Sequence, residues 1–173
     1  MSGIFDQLWS GWRYAYVSSG GVAGGIHRTD STSIFSQILA SGIPDDEALI
    51  VHRGPTCFAI LNRFPYSTGH TLVLPYREVP DLEDLTAEEI AELWASVTAA
   101  VRALKAAYRP DALNIGINLG EAAGGSVARH LHVHIVPRWS GDSNFMTATA
   151  YTRTIPEALP DTWAKVRAAW VQP

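Results

Sequence analysis

Histidine occupies every second position from His130 to His134, with Leu131 and Val133 between and Ile135, Val136, Pro137, Arg138 and Trp139 after. A helix would turn i and i+2 to different sides. An extended strand puts them on one face and the intervening aliphatic residues on the other. The segment therefore predicts a strand over His130–Pro137, with three imidazoles on one face and a buried apolar face behind them. Just upstream stand Gly124, Gly125 and Ser126, small residues that let backbone N–H groups approach an anion. Between Ser126 and Arg138 there are three histidines and the arginines Arg129 and Arg138 but no acidic residue, a local setting for an anion within a chain of formal net charge −4.

The remaining pattern predicts an α+β domain. Leu49–His52, Cys57–Leu61 and Thr71–Leu74 are short apolar runs parted by turn residues, and Ala112–Leu119 and His130–Pro137 add two more, for an antiparallel sheet of about five strands. Thr86 followed by Glu89 forms a capping-box pattern that opens one long helix ending near Arg109, before Pro110. Its expected buried face is Ile90, Leu93, Trp94, Val97, Val101, Leu104 and Tyr108. Ser33–Leu39 predicts a short helix, and Trp163, Val166 and Trp170 mark a last one after Pro160 and Asp161. Ile4, Phe5, Leu8, Trp9, Trp12 and Tyr16 recur at helical spacing, which predicts an N-terminal helix over 1–17. A Gly/Ser-rich segment over 18–32 reads as a flexible link, the core as 33–139 and the rest, 140–173, as a C-terminal extension, all in one domain.

Several functions are disfavoured by composition. An acidic balance argues against a nonspecific nucleic-acid binder. The lone Cys57 excludes an intrachain disulfide and a multi-cysteine metal site, and a cytoplasmic location follows as the default. No run approaches the length of a membrane span, and the N-terminus lacks a signal-peptide pattern. From residue types alone the histidines keep three readings: zinc ligands at i and i+2, core groups satisfied by hydrogen bonds, or a nucleophile in phosphoryl chemistry.

The run HLHVHIVP resembles the signature of the histidine-triad family of nucleotidyl hydrolases and transferases, in which histidine alternates with apolar residues. Asn62, Pro65, Gly69, His70 and Pro75 resemble its upstream nucleotide-binding strands. Asn118 with Gly124, Gly125 and Ser126 resembles its phosphate-contacting segment. The resemblance implies the family's fold and makes His132 the nucleophile, His134 a contact to phosphoryl oxygens and His130 their support. It puts Ser126 against the bridging or leaving-group oxygen, and Asn62, His70, Asn118, Gly124 and Gly125 around the nucleotide and phosphate. N–H groups around Gly125–Val127 would join His134 in stabilising charge on the equatorial oxygens. Ile60, Phe64 and Leu72 are candidate walls of the base pocket, and Trp139 is a candidate stacking residue.

Many bacterial members bind structural zinc through a Cys-x-x-C pair and two histidines. Ser33 and Ser36 stand at the cysteine-like positions and Glu78 at one histidine-like position, which leaves His130 alone and implies that this zinc is lost; no other cofactor is expected. Across nearly the whole chain the similarity is to the bacterial branch that splits diadenosine tetraphosphate with inorganic phosphate into ATP and ADP. The alternatives are a dinucleoside polyphosphate hydrolase or phosphoramidase releasing AMP, and a noncatalytic nucleotide-binding module. A homodimer or higher oligomer is the family expectation.

Overall fold

A computed structural model of the chain describes residues 32–124, 127–142 and 157–171, which lie in a compact unit formed by Asp30–Asp142 and Thr154–Pro173. The expected N-terminal helix and nearly all of the 18–32 link fall outside the described residues, as do Gly125 and Ser126. Helices α1 (Ile34–Ala40) and α2 (Asp45–Ala48) lead into strands β1 (Ile50–Arg53), β2 (Cys57–Leu61) and β3 (Thr71–Pro75). The long helix α3 (Ala87–Tyr108), β4 (Ala112–Ile117), β5 (Val133–Arg138) and α4 (Leu159–Ala169) follow. The strands form one antiparallel sheet in the order β1-β2-β3-β5-β4. The α+β class, the five-stranded sheet and the long helix are as the sequence predicts.

Burial follows position in the sheet. Every residue of β2 and β3 is buried, whereas β4, at one edge, is largely exposed. At the other edge, α4 covers β1 and supplies donors to it: Trp163 Nε1 donates to the Ile50 carbonyl at 2.8 Å and Arg167 to that of Val51 at 2.7 Å. Those contacts occupy carbonyls that would otherwise invite another strand. Among the described residues, no helix is long and apolar enough to cross a membrane.

Helix α3 starts as its capping box requires. Thr86 Oγ1 accepts from the Glu89 N–H at 3.2 Å, and the Glu89 carboxylate accepts from the Thr86 N–H at 2.8 Å. Arg77 grips the same carboxylate with two bonds, at 3.0 and 2.7 Å. The helix ends at Tyr108, where Arg109 takes a left-handed conformation. Its buried face differs from the expected one. Ile90 and Trp94 are exposed and Val101 and Tyr108 only half-buried, while Glu89, Leu93, Ser96, Val97, Ala99, Ala100, Ala103 and Leu104 are covered. The covered stripe runs through Ser96, Ala99, Ala100 and Ala103, small residues whose burial leaves Ile90 and Trp94 on the outer side of the helix. A bulk-weighted helical stripe misses this.

Strand bounds also shift: β1 runs Ile50–Arg53 where Leu49–His52 is expected, and β3 and β5 end one residue later, at Pro75 and Arg138. β4 stops at Ile117 instead of Leu119, and β5 begins at Val133 instead of His130. The N–H of Leu131 donates to the Val79 carbonyl at 2.7 Å, which holds the chain away from the sheet ladder until Val133. Of the three triad histidines, only His134 therefore belongs to a strand. The four-residue α2 is too short to show periodicity.

Arg77 first, then the Thr86 N–H, hold the Glu89 carboxyl well below its ordinary value, at about 2. A depressed carboxylate contributes stability that is full above the ordinary carboxylate range and drains away as pH falls through about 2. Glu89→Ala is expected to cost about 2 kcal/mol at pH 7. Urea unfolding of both proteins at pH 7 and pH 2.5 should show the gap between them shrinking at the lower pH.

Candidate active site

β3 and β5 are paired so that Leu72 faces His134, and β2 pairs with β3 so that Ile60 faces Leu72. Partners opposite one another share a face. Ile60 and Leu72, both almost wholly buried, therefore line the histidine side of the sheet. Alternation along β3 puts His70 on that side as well. The turn before it depends on Gly69, whose φ is 81° and where a Cβ would come within 2.9 Å of Leu104 Cδ2 and 3.3 Å of Pro137 Cγ.

The hydrogen-bonding groups around the histidines determine where each proton sits. A carbonyl oxygen only accepts, and a backbone N–H only donates. His132 Nδ1 lies 2.7 Å from the His130 carbonyl, so Nδ1 carries the hydrogen and Nε2 presents a bare lone pair. His130 Nε2 lies 2.8 Å from the Pro75 carbonyl, so Nε2 is protonated and Nδ1 accepts from the Ser33 hydroxyl at 2.7 Å. His70 Nδ1 accepts from the Tyr66 N–H at 3.1 Å and stands 3.3 Å from the Asn62 amide nitrogen. His70 Nε2 must then be the protonated nitrogen, and it donates to His134 Nδ1 at 3.0 Å. A neutral His134 is left with its proton on Nε2, a donor beside the His132 lone pair; the two rings stand edge to face with centroids 4.9 Å apart.

All three triad rings are held neutral. Burial is the main cause in each, lowering the pKa of His130, of His132 and of His134 below the usual histidine value, and His134 falls to about 4 with a further push from His132. The triad therefore meets neutral pH as a nucleophilic lone pair on His132 and a neutral N–H donor on His134. That combination suits attack on phosphorus.

The other expected residues divide. Asn118 lies beside the ring with Nδ2 3.5 Å from His134 Nε2; with that ring nitrogen protonated, the planar amide accepts by turning its oxygen end to it. Asn62 is tied into the loop, its oxygen accepting from the Phe64 N–H at 3.1 Å and its nitrogen at His70. Gly124 ends a short turn over Glu121–Ala123 at φ 93°, with its N–H donated to the Glu121 carbonyl at 2.9 Å, so that N–H is not aimed at an anion. Phe64 is 82% exposed, a poor wall for a closed base pocket. Trp139 is not brought to the histidines. It stands edge-on to Tyr108 of α3, its centroid 6.4 Å away, on the helix side of the sheet, because it continues the alternation of Ile135 and Pro137.

Two aromatic neighbours escape the sequence reading. Phe35 meets His130 edge-on at 5.5 Å and His132 at 5.4 Å. Tyr66 lies over His70 at 4.6 Å and parallel to His134 at 6.0 Å. Phe35 follows the capping Ser33 in a helix too short to show a clear face, and Tyr66 sits in a turn, where no periodicity can flag it.

The HIT domain family model matches residues 44–141. The chain belongs to this family. It is 42% identical over 170 residues, 96% of its own length and 85% of the relative's, to an AP-4-A phosphorylase of Mycobacterium tuberculosis. Among solved structures it resembles a Hit-like protein involved in cell-cycle regulation from Bartonella henselae, at 28% identity and TM-score 0.66 over 81% of this chain and 97% of that one. It also resembles a zinc-bound histidine triad family protein from Mycobacterium smegmatis, at 31% identity and TM-score 0.64 over 80% of this chain and 92% of that one.

Ser33, Ser36, Glu78 and His130 do not fit a zinc ion. Both His130 ring nitrogens are engaged, and the serine hydroxyls are poor zinc ligands beside thiolates. Among the described residues no group of three histidine, cysteine, aspartate or glutamate side chains is arranged to hold a metal.

Nitrogen-15 NMR across an acid titration tests the proton assignment. His134 is expected to be neutral at pH 7 and to titrate only with a midpoint near pH 4. His70→Ala should release the His134 Nδ1 bond and populate the other tautomer, read from the long-range ring couplings at pH 7.

Proposed function

We propose that the protein is a nucleotidyltransferase that phosphorolyses diadenosine tetraphosphate to ATP and ADP through a nucleotidyl-His132 intermediate. One observation carries the chemistry: the His130 carbonyl holds His132 Nδ1–H, so the Nε2 lone pair is free to attack. Likeness to the mycobacterial AP-4-A phosphorylase, which spans nearly the whole chain, supports the substrate.

In the first step His132 Nε2 forms a bond to an α-phosphorus as the bond to the bridging oxygen breaks, and ATP departs. The ring becomes cationic, and its Nδ1–H bond to the His130 carbonyl stabilises that charge. His134 Nε2–H donates to a phosphoryl oxygen as charge builds there. Ser126, by its place in the family motif, is the proposed donor to the leaving oxygen, and the N–H groups around Gly125–Val127 are proposed to join His134 on the equatorial oxygens. In the second step an oxygen of inorganic phosphate attacks the same phosphorus, the N–P bond breaks, and ADP leaves with the His132 lone pair restored. Buried Ile60 and Leu72 form the apolar floor near the nucleotide.

Diadenosine tetraphosphate incubated with labelled phosphate should give ATP and ADP, with the label in the terminal phosphate of ADP. AMP accumulating at a rate independent of phosphate would make the protein a hydrolase instead. His132→Ala is expected to lower turnover by about 10³-fold or more with the fold retained by circular dichroism.

The active form is proposed as a cytoplasmic homodimer joined along β4. Leu113, Ile115 and Ile117 of that strand pair with Pro137, Ile135 and Val133 and so share the helix side of the sheet. Ile115 is 46% exposed, and Ile90 and Trp94 of α3 add exposed apolar surface. An open strand edge with apolar neighbours favours a second copy. Light scattering should give a dimer for the parent and a monomer for Ile115→Lys.

A further inference from the structure

Ser33 does two things with one hydroxyl. As N-cap of α1 its Oγ accepts from the Ser36 N–H at 3.1 Å, and it donates to His130 Nδ1 at 2.7 Å. Glu78 completes the arrangement: one carboxylate oxygen accepts from the Ser33 N–H at 2.8 Å and from the Ser36 hydroxyl at 2.9 Å. Arg129 stands 3.7 Å from the other oxygen. Since Ser36 gives its proton to Glu78, the Ser33 proton is left for His130, and each donor in the set has one destination. His130 is wholly buried and receives the bond on the only ring nitrogen that the Pro75 carbonyl leaves over.

The backbone of the same residue holds the nucleophile. The His130 carbonyl accepts from His132 Nδ1–H at 2.7 Å, so the peptide unit that sets the His132 tautomer is anchored by the His130 ring. The cap also places Phe35, two residues on, against both rings. A carboxylate, two hydroxyls and a helix terminus thereby form one chain of hydrogen bonds that ends on the His130 ring, through Ser33 contacts that span 45 residues to Glu78 and 97 to His130.

We propose that Ser33, Ser36 and Glu78 form a metal-independent positioning network for His132, acting through His130. None of the three touches the reacting atoms; they hold the peptide that orients the nucleophile. The proposal rests on the reading of His132 as nucleophile. It assigns to hydrogen bonds the anchoring of His130, without a metal ion.

The test combines kinetics with nitrogen-15 NMR on the full chain. Ser33→Ala leaves a buried ring nitrogen without its donor, and misorientation of the nucleophile should lower kcat about tenfold with KM within about twofold. Ser33→Thr keeps a hydroxyl at the cap and should return kcat to within about twofold of the parent. In the parent, NMR should show His130 protonated at Nε2 and His132 at Nδ1; in Ser33→Ala a second His132 tautomer should appear. Thr86→Ala, which weakens the cap of α3 away from the site, should lower Tm without changing kcat. Dialysis against a chelator should leave the parent's kcat and Tm unchanged.

The network is overturned if Ser33→Ala keeps His130 protonated at Nε2 and His132 solely at Nδ1 and retains the parent's kcat. It is also overturned if Thr86→Ala loses kcat as much as Ser33→Ala does, or if the purified protein holds stoichiometric zinc. Should the parent fail to turn over diadenosine tetraphosphate while Ser33→Ala still shifts the His132 tautomer, the proposed reaction falls and the positioning network stands.

Discussion

The bond from His132 Nδ1–H to the His130 carbonyl is the constraint on which the site depends. Backbone carbonyls never donate, so this contact admits one tautomer and leaves one lone pair. Similar one-way partners fix the neighbours: the Pro75 carbonyl for His130 and the Tyr66 N–H for His70. Imidazoles in water exchange tautomers freely, whereas here each ring is bounded by a group that accepts only or donates only. The outcome is a bare nitrogen beside a neutral donor, the two functions that phosphoryl transfer asks of the protein.

Burial makes this arrangement persist at neutral pH. A charged imidazolium in a dry site is costly, and the lowered pKa of each triad ring expresses that cost. The same desolvation strengthens the hydrogen bonds that hold the rings. In the proposed reaction charge would appear on His132 only once phosphorus is attached, with the His130 carbonyl in place to stabilise it. The surrounding sheet supplies the rigidity, for β2 and β3 are buried along their whole length behind the histidines.

Local rules in the sequence anticipate much of the fold. The capping box at Thr86 and Glu89 acts over three residues and is found as predicted. The apolar runs of β2 and β3 are central strands, buried on both faces. Ile90 and Trp94 are exposed instead of buried because the covered stripe of α3 runs through Ser96, Ala99, Ala100 and Ala103, small residues to which a stripe drawn by bulk gives no weight. His130 and His132 stand outside the ladder because Leu131 bonds to Val79, a partner that no alternation of side chains can reveal. Trp139 looked like a substrate contact by being next to the triad, yet alternation past Pro137 carries it to the helix side.

The sequence by itself determined that three alternating imidazoles follow closely on a glycine-rich segment, although the extended strand expected through all of them begins only at Val133. It also carried the family's motif, and with it the identity of the candidate nucleophile. The tertiary structure alone decided which ring nitrogen is bare, because the deciding partners are the backbone groups of His130, Pro75 and Tyr66. Every residue but proline carries the same N–H and C=O pair, so sequence pattern is blind to them until folding sets their positions. Only folding brings Ser33, itself held by the distant Glu78, to the one ring nitrogen of His130 that still needed a donor.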